Sequence, residues 1–196
     1  MCDRCTAGFA FFGLAEPQAP MLESYAAALR TGWSPNNICD VSAEVLAAIE
    51  FDPAAYLRSL SDIAPASITV NGTEFPRLPF RTRWMWDGDF CGSISLRFQP
   101  GTDALPPHVF GHIGYTVVPW KRNHGYASRA LRQMLDEARE VGLSQIEITT
   151  EPQNTASRTV IERNDGVRVG SKSHPAFPDT GLVDLYVIKQ IGRAHV

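Results

Sequence analysis

The chain has 196 residues, 44% apolar content and a formal net charge of −3, which suits one compact domain burying a real core and leaves no room for a second full one. The acidic balance argues against nucleic acid or an anionic membrane surface as the main partner. No apolar run approaches the ~20 residues of a bilayer-spanning helix, and the patch from Gly8 to Gly13 is too short and poorly flanked for a secretory signal, so a cytoplasmic protein is expected.

Cys2 and Cys5 have a zinc-like spacing, but Cys39 and Cys91 are single and no second close Cys or His pair completes four ligands. No metal and no disulfide framework are expected. Residues 20–62 read as helical: Pro20 precedes a helix over 21–30, the stretch 32–37 breaks it, Ser42 caps a second helix over 43–50, and Asp52-Pro53 starts a third. Trp33, in the break, either anchors the loop by packing or lines a wall of a substrate site.

From Ser67 the apolar period becomes two. Ile68 and Val70 run up to Asn71-Gly72, and Trp84-Met85-Trp86 faces a strand from Phe90 to Leu96 across Asp87-Gly88; both are hairpin signals. A loop over 99–107 leads into a strand over 109–118, which Pro119 ends because it cannot donate to a ladder. Ala127, Ala130, Leu131, Met134, Leu135, Ala138 and Val141 then recur at helical spacing, with charges on the other face and Gly142 as the stop. A strand over 145–150, a helix starting near Asn154, and strands over 167–170 and 182–188 complete the chain. Residues 191–196 read like translated adapter sequence and are left out of fold reasoning.

A strand that feeds a Gly-containing loop and then a helix start leaves backbone N–H groups unpaired at the positive end of a helix dipole, with Lys121 and Arg122 beside them. Such a turn binds phosphate. The succession Val117-x-Pro119-x-x-Arg122-x-x-Gly125-x-Ala127 resembles the acyl-CoA pyrophosphate loop of the GCN5-related N-acetyltransferase (GNAT) superfamily. The parts that follow keep the superfamily's order: a helix, the strand over 145–150, an Asn154-x-x-Ser157 step, a second helix and a closing Asn164-Asp165-Gly166.

The fold expected is an α/β (α+β) domain over 1–190 with its motif core at 111–166. A mixed, mostly antiparallel central sheet of six or seven strands is flanked by helices on both faces. The 118–144 crossover has the length a parallel pair requires, so strands 109–118 and 145–151 are expected side by side; the resemblance implies that they splay at their C-terminal ends around the pantetheine. It also implies acetyl-CoA as acyl donor and a primary amine of a small molecule, peptide or protein as acceptor. The chain would act as a monomer or homodimer.

By the same resemblance Tyr115 and Val117 would meet the thioester end and pantetheine through their backbone, and the amides of Asn123, His124, Gly125, Tyr126, Ala127 and Ser128 the pyrophosphate. Arg122 adds charge, and Asn154, with Ser157, holds pantetheine; read locally, Asn154 is a helix cap and Arg122 a solvated charge. Where many members carry a Tyr acid and some a Glu base, this sequence has Ile161 and Thr149. His112, Glu147 and Glu151 are the remaining candidates for the proton chemistry, in that order. A module that binds acyl-CoA without turnover is the alternative.

Overall fold

The computed structural model describes residues 12–37, 39–60, 67–70, 73–173 and 181–190. Among them are nine strands and five α-helices: β1 (Gly13–Ala15), α1 (Leu22–Arg30), α2 (Ser42–Phe51), α3 (Pro53–Ser59), β2 (Ser67–Val70), β3 (Thr73–Pro76), β4 (Phe80–Trp86), β5 (Phe90–Arg97), β6 (Ile113–Val117), α4 (Tyr126–Glu140), β7 (Gln145–Thr150), α5 (Thr155–Glu162), β8 (Val167–Ser173) and β9 (Leu182–Lys189). The Asn71-Gly72 turn, the Cys2 and Cys5 pair, the segment 174–180 and the terminal 191–196 lie outside the described residues. No helix among the described residues is long and apolar enough to cross a membrane.

The expected single sheet of six or seven strands is corrected: the strands form a four-stranded sheet in the order β1-β4-β5-β6, a three-stranded sheet in the order β7-β9-β8, and the hairpin β2-β3. Every ladder is antiparallel. The division falls between β6 and β7, the two strands expected to pair. Among the described residues their hydrogen bonds lie where β6 begins: His112 N–H donates to Glu147 O at 2.7 Å, and Thr149 Oγ1 donates to Phe110 O at 3.4 Å. Gly111 permits this approach, because it has φ +80° and an added Cβ would stand 2.9 Å from Glu147 O. β6 is also shorter than the 109–118 expected.

The strand alternation divides the core in two. Met85, Cys91, Ile94, Leu96 and Ile113 turn to the face covered by α4 and α5, where they pack on Ala130, Leu131, Met134, Ala138 and Ile161 together with Ile146, Ile148, Tyr186 and Ile188 from the second sheet. Trp84, Phe90 and Val118 turn to the other face and pack on Leu22, Tyr25, Leu29, Trp33 and Ile49 of the α1–α2 layer. Trp33 is thus a buried anchor, edge-on to Tyr25 and Phe90 with centroids 5.8 and 4.9 Å away, and its Nε1 donates to Thr116 Oγ1 at 3.2 Å.

Helix starts follow local chemistry with one correction. Asp52 caps α3 by accepting the Ala55 N–H at 2.9 Å, with Pro53 in the first turn. Ser42 is not the cap of α2 but its first residue, its N–H held by Asp40 Oδ1 at 2.9 Å. The amphipathic helix expected over 127–141 is α4, displaced by one residue.

Candidate cofactor and active site

The site grows from the free edge of β6. Arg97 N–H donates to His112 O at 2.8 Å and Val118 N–H to Cys91 O at 3.0 Å, so the even-numbered residues of β6 turn their backbone groups to β5. Tyr115 and Val117 turn theirs away, into the gap that separates the two sheets. Asn37 Nδ2 reaches the Tyr115 carbonyl at 3.1 Å and Arg122 Nε the Val117 carbonyl at 3.3 Å. Each carbonyl keeps a second lone pair.

Past Val118, Pro119 ends the ladder and Pro119–Lys121 make one 3-10 turn. Asn123 and Gly125 then take left-handed backbone at φ 64° and 73°, and this alternation makes successive N–H groups converge. Gly125 is the N-cap of α4, and no side chain caps the first turn. None of the N–H groups of residues 123–128 has a partner among the described residues. They stand together at the positive end of the α4 dipole. A Cβ at Gly125 would meet nothing within 4 Å, so the face of the turn is open to an anion.

The two cations beside the turn differ. Arg122 is exposed. Lys121 is spent: its Nζ sits 2.9 and 2.8 Å from the two carboxylate oxygens of Asp87, and the Tyr126 hydroxyl donates to the same carboxylate. Burial works to raise the Asp87 pKa, but the hydrogen bonds from Lys121 and Tyr126 prevail and carry it down to about 2. Asp87 therefore clamps the β4–β5 hairpin tip to the loop and to the start of α4. Only a hairpin turn could be read at Asp87 from sequence, since its partners lie 34 and 39 residues away.

The opposite wall comes from the β7–α5 junction. Asn154 Oδ1 accepts the Ser157 N–H at 3.0 Å and caps α5, while its Nδ2 donors have no partner among the described residues. Ser157 Oγ lies 2.9 Å from the Tyr115 hydroxyl, so the phenol bridges the gap from β6 to α5. Burial pushes the Tyr115 pKa up to about 12 and keeps the phenol neutral. Asn164, buried at the end of α5, donates from Nδ2 to Ser128 O at 3.2 Å and Val160 O at 2.9 Å. It ties α5 to the first turn of α4.

Residues 70–167 match a family profile described as an acetyltransferase (GNAT) domain. The chain belongs to the GNAT acetyltransferases. Among curated protein sequences none matches it. Its fold is shared with Mycobacterium smegmatis RimJ in complex with CoA-disulfide, at 20% identity and TM-score 0.64 over 91% of this chain and 81% of that one. RimL, a ribosomal alpha-N-protein acetyltransferase in complex with coenzyme A, superposes with TM-score 0.61 at 14% identity over 91% and 93% of the two chains. The microcin self-immunity acetyltransferase MccE, in complex with acetyl-CoA and AMP, gives 0.60 at 11% over 91% and 92%.

In this GNAT chain the three residues read as proton carriers fare differently. His112 is fully enclosed, and its Nδ1 accepts the Glu147 N–H at 2.9 Å. The remaining Nε2 then carries the proton and has no partner among the described residues. Burial lowers the His112 pKa, against the pull of Glu147 and Asp103. With its Nδ1 lone pair committed and its surface enclosed, the ring ties the start of β6 to β7. Glu147 is partly exposed, its carboxylate 3.4 Å from Lys172 Nζ. Glu151 is exposed, its carboxylate accepting from Gln153 Nε2 at 3.0 Å, and among the described residues it is not gathered with the others. Ile161 is buried in the core.

Proposed function

We propose that the protein is an acyl-CoA-dependent N-acetyltransferase that moves an acetyl group from acetyl-CoA to a primary amine of a peptide, protein or small molecule. The observation that carries this reading is the run of unpartnered N–H groups at residues 123–128, opening directly from the unpaired edge of β6. A diphosphate fits such a turn, and an extended amide chain fits the edge beside Tyr115 and Val117. Acetyl-CoA supplies the activated thioester.

In this reading the amides of Asn123, His124, Gly125, Tyr126, Ala127 and Ser128 hold the pyrophosphate, with Arg122 as the exposed cation beside them and Lys121 fixed by Asp87. Asn154 offers its free Nδ2 donors to pantetheine from the far wall, and Ser157 with Tyr115 sets the width of the gap. The outward backbone of Tyr115 orients the thioester for attack from the α1–α2 side. Glu147 is the proposed base, since its carboxylate is partly exposed where His112 is sealed. No acid is required of the chain, because a thiol with a pKa near ~8.5 departs readily as thiolate close to neutrality.

RimL is described as acting on a ribosomal protein's alpha-N position, and an N-terminal amine is accordingly the first acceptor to test. Free-thiol release from acetyl-CoA, measured with a panel of amines and N-terminal peptides, is expected to show amine-dependent turnover. Tight acetyl-CoA binding with no turnover across the panel would instead establish the acyl-CoA-binding module.

A further inference from the structure

Arg97, the last residue of β5, carries a charge that nothing in the fold described so far uses. Ile94 and Leu96 enter the core under α4, so Ser93, Ser95 and Arg97 point to the opposite face, the one shared with the α1–α2 layer. Ser95 Oγ meets Thr82 Oγ1 there at 3.1 Å, and Trp84, on the same side of β4, lies among the α1 residues. The guanidinium lies over Gly114: its Nη2 would be 3.3 Å from a Cβ at that position. Gly114 directly precedes Tyr115, where the edge of β6 turns to the gap.

Burial lowers the Arg97 pKa below the ordinary arginine value, yet the side chain stays charged. Its guanidinium has no ion pair or hydrogen bond among the described residues. The other two arginines of this sheet are paired, on the opposite face: Arg83 Nε with Glu137 at 2.9 Å, and Arg81 Nη1 with Glu140 at 3.2 Å. A withdrawn cation without a counter-charge is costly. The missing side chain at Gly114, whose strand neighbour is the small Ser95, leaves room over β6 for the guanidinium.

We infer that Arg97 is a specificity-determining residue that pairs with a carboxylate close to the amine of the acceptor, so that the preferred substrates are acidic amines or peptides with an acidic residue next to the reacting terminus. The inference rests on the acetyltransferase reading. Arg97 stands on the acceptor side of β6, one strand from the outward backbone of Tyr115, and its planar fork suits a carboxylate. Free amino acids and acidic peptides share this chemistry.

The test uses acceptors matched in shape: peptides with Asp or Asn after the N-terminal residue, and free glutamate against glutamine. Wild-type protein is expected to favour the carboxylate member of a pair by about tenfold or more in kcat/KM. R97Q is expected to erase that preference, leave the carboxamide rate and the KM for acetyl-CoA unchanged, and melt no earlier than wild type; R97K should keep part of it. The peptide and amino-acid arms tell which source of carboxylate the site takes. Equal wild-type rates within both pairs would overturn the inference, as would R97Q slowing both members alike. Binding of each pair to the acetyl-CoA-loaded protein is also measured by calorimetry. A carboxylate preference there upholds the inference even without turnover, which would fault the acetyltransferase reading alone; no preference overturns it.

Discussion

Asn154 carries two separable jobs, and substitutions at one position can divide them. Its Oδ1 caps α5 by accepting the Ser157 N–H at 3.0 Å, and in the proposed site its Nδ2 donates to pantetheine. Removing a cap of this kind costs about 1 kcal/mol, and a chain of this size melts roughly 2–4 °C lower for each kcal/mol lost. Losing one hydrogen bond to the ligand costs a further ~1 kcal/mol of affinity, or about a fivefold rise in Kd. Asn154→Ala should therefore lose both melting temperature and acetyl-CoA affinity. Asn154→Ser keeps an oxygen for the Ser157 N–H but has no amide donor, so it should melt close to wild type and still bind about fivefold more weakly. Asn154→Asp should melt as high or higher, since a negative cap suits the helix dipole, and should also bind weakly. Differential scanning fluorimetry without ligand and calorimetry with acetyl-CoA read the two quantities independently. Wild-type affinity in Asn154→Ser would refute the pantetheine role and leave Asn154 a cap alone.

Gly125→Glu should abolish calorimetric acetyl-CoA binding by placing a carboxylate in front of the open amides, while Gly125→Ala, which meets nothing within 4 Å, should show only the ~1–2 kcal/mol strain of φ 73° as a lower melting temperature. His112→Leu should lower stability by about 1–3 kcal/mol by orphaning the Glu147 N–H, with the pH profile of kcat/KM unmoved; a profile that shifts would restore His112 as a base. Because burial holds the His112 pKa below its unfolded value, its contribution to stability is complete above about 6.5 and is lost as pH falls toward the folded pKa. Melting against pH should show that loss in wild type and less of it in His112→Leu. Asp87→Asn should raise the KM for acetyl-CoA with a smaller change in kcat, since the loop is clamped through Lys121 and Tyr126. Wild-type stability from Asp87 is complete above about 4 and lost as pH falls toward 2, and the variant should lack that acid limb.

The elements legible in the sequence are those whose causes are local. The period of Ala130, Leu131, Met134, Leu135 and Ala138 makes α4 wherever it packs, Asp87-Gly88 turns β4 into β5, and Asp52-Pro53 starts α3. β1 was missed because three residues show no period; Gly13–Ala15 is a strand only because Trp84–Trp86 pairs with it. His112 shows the same limit at the site. A histidine at the mouth of a strand reads as a candidate base from its intrinsic titration, whereas its Nδ1 contact with an N–H 35 residues away belongs to no local pattern and could not be read. The same β7 residue also accepts the His112 N–H through its carbonyl, at 2.7 Å.

The gap between the sheets is fixed at two levels, by one backbone bond with side-chain contacts rather than by a continuous ladder. Two hydrogen bonds between His112 and Glu147, one from each backbone N–H, close it where β6 begins. Three residues on, or about 10 Å along a strand, Tyr115 reaches across it to Ser157. Were the ladder to zip on past His112, the outward groups of Tyr115 and Val117 would be spent on β7 and the edge lost as a binding surface. An unpaired inner edge is otherwise a liability. Here Gly111 at φ +80° turns the chain as it enters β6, the two struts hold the strands at separate settings, and the edge that remains runs straight into the six open amides of the loop.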